Sequence, residues 1–233
     1  MKRTLAAFSA LFLLSALLAF PQGSFLKTGQ SGLGVSGALI TNPDVSGFTG
    51  TAGLALSGIF DLSLSLGRAS YDPAASGDLR ELKARSLVTE IRAYFARQDS
   101  GRSPVTASIA AGFASDKFSS PDFVPDSLVM RSHSLLNGAT VCRNFPLFKK
   151  AFLQPYVGVG YASTTTKISN PSGYTVGDTD GVVALNLGVP LVYSFSAQTL
   201  LVLQPGVALD KNNVTFAVSV GLVVALSRSK AGA

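Results

Sequence analysis

From Val214 to Leu226 the chain alternates without a break. Val214, Phe216, Val218, Val220, Leu222, Val224 and Leu226 fall on one side of an extended strand; Thr215, Ala217, Ser219, Gly221, Val223 and Ala225 fall on the other. The second side decides what such a strand can build. A soluble barrel would turn its large residues inward and show the other face to water, and that face should then carry Lys, Arg, Asp and Glu. Here it carries Ser, Gly, Ala and Thr. The same pattern recurs in Val183, Leu185, Leu187, Val189 and Leu191 opposite Ala184, Asn186 and Gly188. It recurs again in Phe60, Leu62, Leu64 and Leu66 opposite Asp61, Ser63, Ser65 and Gly67. Charged residues are 14% of the chain, against about 25% in ordinary soluble domains, so little charge is left to cover a wet surface. The reverse arrangement fits better. The large face meets hydrocarbon, where a charge at mid-depth costs roughly 2–4 kcal/mol, and the small face lines a narrow interior.

Ten runs carry strand signals: 32–40, 48–57, 60–71, 84–96, 105–115, 134–143, 151–164, 181–193, 199–209 and 214–226. Most approach the length that a tilted strand needs to cross a bilayer, about 9–11 residues. The links alternate in length. The longest, 72–83, 116–133 and 165–180, all fall at the same end as 41–47, and those at 58–59, 97–104, 144–150 and 194–198 fall at the other; the link at 210–213 is short and breaks the pattern. Long loops at one end and short turns at the other are expected of an up-and-down membrane barrel. An open sheet in lipid would leave edge N–H and C=O groups unpaired, so 32–40 must pair with 214–226. The expected fold is all-β: a closed antiparallel transmembrane barrel of about ten strands. Eight strands result if 134–143 or 32–40 fails to pair.

Residues 1–23 read as a secretory leader, with Lys2 and Arg3 ahead of an apolar run, and 24–233 as the barrel domain. Cleavage is expected between Ala19 and Ser24. Cys142 is the only cysteine, which excludes an internal disulfide and suits a small buried filler. The strand charges Glu90, Arg92 and Arg143 are expected to point inward. Glu90 and Arg92 share a face and, with Gln154, Asn186 and Gln204, make up the expected polar network of the lumen. Tyr71, Phe113 and Tyr161 are assigned to an interfacial girdle near the loops, and Phe95, Phe152, Tyr193 and Phe195 to one near the turns.

The leader, the Gly-rich first strand GLGVSGALI, the short turns and the amphipathic terminal strand together resemble the small single-chain outer-membrane β-barrel proteins of Gram-negative bacteria. The resemblance spans 25–233. It implies residence in the outer membrane, contact with outer-membrane lipid and insertion by the barrel-assembly machinery. Such chains usually end in an aromatic residue, whereas this one ends Leu226-Ser-Arg-Ser-Lys-Ala-Gly-Ala233.

Chemistry is sparse. His133 is the only histidine, and Ser132 and Ser134 beside it point away from it in a strand, so no nucleophile–base pair forms. Asp178 and Asp180 lack the spacing of a calcium loop and read as a polar turn. No catalytic residue, metal ligand or cofactor is expected. Lys and Arg are scattered, which argues against nucleic acid. Three functions follow from the sequence. The first is a structural or surface-interaction barrel, taking an extracellular ligand at loops 116–133 and 165–180. The second is a narrow porin-like channel for small polar solutes. The third, weaker, is a lipid-modifying hydrolase.

Overall fold

The computed structural model describes residues 22–72, 82–101, 103–123, 128–172, 175–211 and 213–226; the leader, up to residue 21, lies outside them. A four-residue helix, α1 (Gln22–Phe25), precedes the strands. These are β1 (Ser31–Thr41), β2 (Val45–Leu56), β3 (Phe60–Tyr71), β4 (Leu82–Ala96), β5 (Thr106–Ser119), β6 (Val129–Cys142), β7 (Phe145–Phe148), β8 (Ala151–Leu153), β9 (Tyr156–Ser169), β10 (Thr175–Gly188), β11 (Leu191–Ser194), β12 (Thr199–Asp210) and β13 (Val214–Leu226). Ten of them form a closed antiparallel ring. The seam is the ladder from Ser31↔Leu226 to Thr41↔Phe216, which joins the first strand to the last. The short segments β7, β8 and β11 prolong their neighbours past breaks at Asn144, Pro155 and Pro190, and pair beside the lower part of β12.

Local chemistry sets the reversals. Ser57 and Gly58 both take positive φ, 53° and 60°, and Ile59 N–H donates to the Leu56 carbonyl at 3.0 Å. That is the left-handed two-residue turn that suits the twist of paired strands. At the other end of β2, the Asn42 side-chain oxygen accepts the N–H groups of Asp44 (2.9 Å) and Val45 (2.7 Å), a side-chain-built turn.

The exterior is apolar. Val35, Leu39, Leu64, Leu66, Ile91, Val159, Val183, Val218 and Val220 are all exposed, while Asp61, Ser65, Glu90, Arg92, Ser134, Asn186 and Ser219 are buried. Large aliphatic side chains therefore project outward, as the alternation requires. Phe113 and Tyr161 on the loop side and Phe95, Tyr193 and Phe195 on the turn side also face out. Tyr71 does not. It is 5% exposed and packs inside against Phe118, ring centroids 6.2 Å apart. Phe152 is half-buried against an inner cluster with Val192 and Val202. Arg143 corrects another expectation: it faces outward, its guanidinium 5.2 Å over the Phe145 ring. Ring stacking at the turn-side rim keeps its charge wet while its stem covers apolar surface.

Strands also run further than their apolar patterns suggest. Residues 116–119 and 129–133 belong to β5 and β6, and 165–169 and 175–180 to β9 and β10. Asp178 and Asp180 thus sit in a strand and not in a turn. The register climbs around the ring. Leu33 of β1 is level with Leu54, Leu62, Ile91, Ala111, Asn137, Tyr161 and Val183 of successive neighbours. A lateral row thus starts near the turn end of β1 and reaches the loop side by β10, as strand tilt in a barrel demands.

Candidate functional site

The interior divides into three zones. At the turn end, α1 is folded inside the ring. Its Gly23 N–H donates to both carboxylate oxygens of Asp61, at 2.9 and 3.0 Å, and Tyr94 Oη donates to Asp61 Oδ2 at 2.7 Å. Ser24 Oγ donates to Gln154 Oε1 at 3.1 Å, and Gln154 Nε2 returns bonds to the Ser24 carbonyl and to Asn144 Oδ1, at 3.1 and 2.7 Å. Arg97 closes the assembly from the β4 end, donating to the carbonyls of Gly23, Gly58 and Leu26. Its Nε also bonds Asp99 Oδ1 at 3.2 Å, and its guanidinium lies 5.2 Å over the Tyr94 ring. Glycines make the space. A Cβ on Gly34 would stand 2.7 Å from the Gln22 side chain, and one on Gly23 would stand 2.5 Å from Asp61 Oδ1. Phe25 and Leu26 complete the stopper by packing on Val192, Val202 and Val223.

Asp99 lies in the turn after β4, outside the membrane-spanning strands. Partial burial pushes its carboxyl up, but the Thr28 backbone N–H and the Arg97 guanidinium outweigh that and hold it below the usual aspartate range.

Mid-lumen, Arg92 meets Glu90 in a buried ion pair at 3.0 Å and donates through Nη1 to Ser108 Oγ and Thr140 Oγ1, both at 3.3 Å. Between this pair and the stopper is a void of about 20 Å³ beside Tyr156 and Gln204, room for about one water molecule. Of the five residues read from sequence as a lumen network, all are buried and inward. Glu90 and Arg92 touch each other. Gln154 serves the stopper, and Asn186 reaches back only to its own strand, Nδ2 to the Ala184 carbonyl at 3.5 Å. Sequence reasoning put Asp61 and Tyr94 on inward faces but missed their part in the stopper, and it missed Arg97 and α1 altogether. Asp61 was on the correct face, yet nothing local says that a peptide N–H from outside the strands comes to meet it. Gln22 and Gly23, assigned from sequence to the leader, make specific contacts inside the ring.

Toward the loop end the interior turns apolar. Ile40, Val45, Tyr71, Leu82, Phe118, Phe123 and Met130 pack together, with Ile168 and Val182 against them. Phe123 comes from a short 3₁₀ turn, Pro121–Phe123, that folds over the opening. Above it the rim is uneven. β9 and β10 pair from Ser169↔Thr175 down to Tyr156↔Gly188, but β12 joins β10 only from Ala184 downward. Residues 175–183 of β10 thus carry one unpaired edge on a projecting ribbon. His133 faces outward and stacks on Phe113, ring centroids 5.8 Å apart. Ser132 and Ser134 face inward, Ser132 Oγ donating to Asp116 at 2.9 Å and Ser134 paired with Thr164 at 2.7 Å, so the wall separates this base from both hydroxyls. Cys142 is buried, and among the described residues no cluster of His, Cys, Asp or Glu could hold a metal ion.

Solved structures of the same architecture exist. The translocator domain of the autotransporter NalP from Neisseria meningitidis superposes with a TM-score of 0.62 at 12% identity, covering 94% of this chain and 96% of that one. The β-domain of the Bordetella autotransporter BrkA gives 0.50 at 12% identity, covering 84% and 100%. The fold is that of the Gram-negative outer-membrane β-barrels. Neisserial surface protein A also matches, at 13% identity over 83% of this chain and 96% of that one, with a TM-score of 0.36. No known family description matches the sequence, and no curated protein does.

Proposed function

We propose that this outer-membrane barrel is a closed scaffold whose work is done at its loop end and not through its lumen. The observation that carries this reading is the filling of the interior: a hydrogen-bonded stopper, a buried Glu90–Arg92 pair and an apolar cap stand in series. A solute path along Glu90, Arg92, Gln154, Asn186 and Gln204 would have to pass all three. The projecting β9–β10 ribbon gives the loop end something to work with. Its second edge has no partner strand among the described residues, and Asp178 and Asp180 Oδ1 accept the N–H groups of Thr179 and Gly181 there at 2.9 and 2.7 Å; an extended segment of another protein that displaces these two carboxylates can add as a further strand.

Recording from the purified protein in planar bilayers tests the closed lumen. The expected record is flat, without unitary steps. Discrete openings in the wild type whose size changes in Arg92→Ala would replace this reading with the narrow channel. A photo-crosslinking residue at Thr179 on intact cells tests the ribbon. It is expected to capture a second macromolecule that the same probe at Val159, in the lipid-facing band, does not.

A further inference from the structure

Five basic residues that are far apart in sequence lie side by side on the outer wall. Arg68 of β3 is level with Arg85 of β4, Arg85 with Lys117 of β5, Lys117 with Arg131 of β6, and Arg131 with Lys167 of β9. All five side chains are exposed and outward. The reading of the basic residues as scattered is therefore corrected: the register gathers them. Neighbouring strands stand about 4.8 Å apart, so the row puts five positive charges in roughly 20 Å. Like charges directly opposite on paired strands repel, and among the described residues no acidic side chain forms an ion pair with any of the five. Left bare, the row works against the sheet that holds it.

Its position says what would neutralise it. Arg68 follows Leu62, Leu64 and Leu66 on the same outward face, and Arg85 lies one outward step beyond Leu87. The row begins where the hydrocarbon belt ends. Because lateral rows climb toward the loops from β3 to β9, its later members stand at increasing height above that edge. At its lower end the wall is hollowed by a groove of about 540 Å³ in which Leu39 and Phe48 adjoin Arg68 and Arg85, with Ser46, Ser70, Lys83 and Ser119 on its loop side. A groove with two guanidiniums in its wall, directly above the outward Leu64, Leu66 and Leu87, matches an amphiphile with its anionic head in the groove and its acyl chains on the belt below.

We propose that this stripe binds the phosphate groups of a phosphorylated glycolipid in the leaflet at the loop end. The guanidiniums of Arg68, Arg85 and Arg131 suit bidentate phosphate contacts, and Lys117 and Lys167 add point charge. The site is on the outside of the wall and does not depend on whether the lumen conducts.

The test compares the whole protein in nanodiscs of phosphatidylcholine doped with a bis-phosphorylated lipid A or with its dephosphorylated form. Lipid retained on the protein after detergent extraction is the readout. Wild type is expected to retain the phosphorylated form at least tenfold better, with the preference falling as salt is raised. Arg85→Gln/Lys117→Gln/Arg131→Gln is expected to lose it. Arg143→Gln/Lys149→Gln/Lys150→Gln, which removes equal charge at the turn end, is expected to keep it. Equal retention of the two lipids, or a preference that survives the first triple variant, would overturn the proposal. So would heparin binding to the stripe in plain phosphatidylcholine discs as tightly as lipid A, which would make the occupant a soluble polyanion. The phosphate and salt dependence of wild type decide the matter even if the variant assembles badly.

Discussion

At the scale of single residues, fit inside the ring is close enough to predict outcomes. A methyl group on Gly34 would clash first with the Gln22 side chain, whose Cγ and Cδ would both stand at 2.7 Å. Gly34→Ala is therefore expected to destabilise the barrel by about 1–3 kcal/mol, the usual range for an overpacked site. Gln22→Ala in the same chain should recover most of it, because the first clash is with that side chain. Urea unfolding from lipid vesicles reads both. The Glu90–Arg92 pair gives a second cycle. Glu90→Ala strands a buried guanidinium with only two hydroxyls and is expected to cost about 3–5 kcal/mol. Glu90→Gln combined with Arg92→Met should cost clearly less, since it removes both charges. If the double variant proves as damaging as the single one, the pair is not what holds mid-lumen together. The sequence made the inward side of such residues legible, because a period of two is a local property. It did not reveal partners. Tyr71 obeys the same alternation as Asp61, on the inward side, yet its size suggested an interfacial anchor, and only the Phe118 contact gives it an interior role.

At the scale of elements, the stopper and the turn after β4 form one clamp. Thr28 donates through its backbone N–H and through Oγ1 to Asp99, and Asp99 holds Arg97, which grips α1. The Asp99 carboxyl is held below its ordinary value. A depressed folded-state pKa means that the clamp contributes fully above the unfolded-state value, about 3.9, and that its contribution is lost as pH falls through the folded-state value. Amide exchange at Thr28 and at the neighbouring stopper residues is expected to rise in acid, and Asp99→Asn should abolish that acid step. An acid step of the same size in Asp99→Asn would assign it to another group. None of this was visible in the sequence, for a physical reason. Four helical residues beside a leader have no periodicity to detect, and the bonds that fix them cross 12 to 130 positions of chain. The strands themselves were legible in number and order. Their upper ends were not, because β5, β6, β9 and β10 continue above the lipid as polar ribbons, where alternation of large and small residues no longer has a purpose.

At the scale of the whole molecule, the outward belt and the closed ring are one design. Closure satisfies every strand edge within hydrocarbon, and the belt makes that closed ring soluble in lipid. A charge scan tests the two together. Arg in place of Val220, midway along β13, is expected to cost roughly 2–4 kcal/mol in vesicle refolding, and the same change at Val214, beside the loop end, about 0–1 kcal/mol. Equal costs at the two sites would mean that the depth of the belt has been misplaced. Register was the least legible property at this scale. Arg68 and Lys167 are separated by most of a hundred residues, and only the summed offsets of four ladders make them members of one stripe.

The position of α1 also constrains biogenesis. The stopper lies at the start of the described chain, inside a ring whose last ladder is made by β13, the final strand described. A segment enclosed by a seam has to be in place before the seam shuts, or be threaded through the turn-side mouth afterwards. On the first route the segment ahead of β1 is held ready while the remaining strands are laid down, and the ring seals around it.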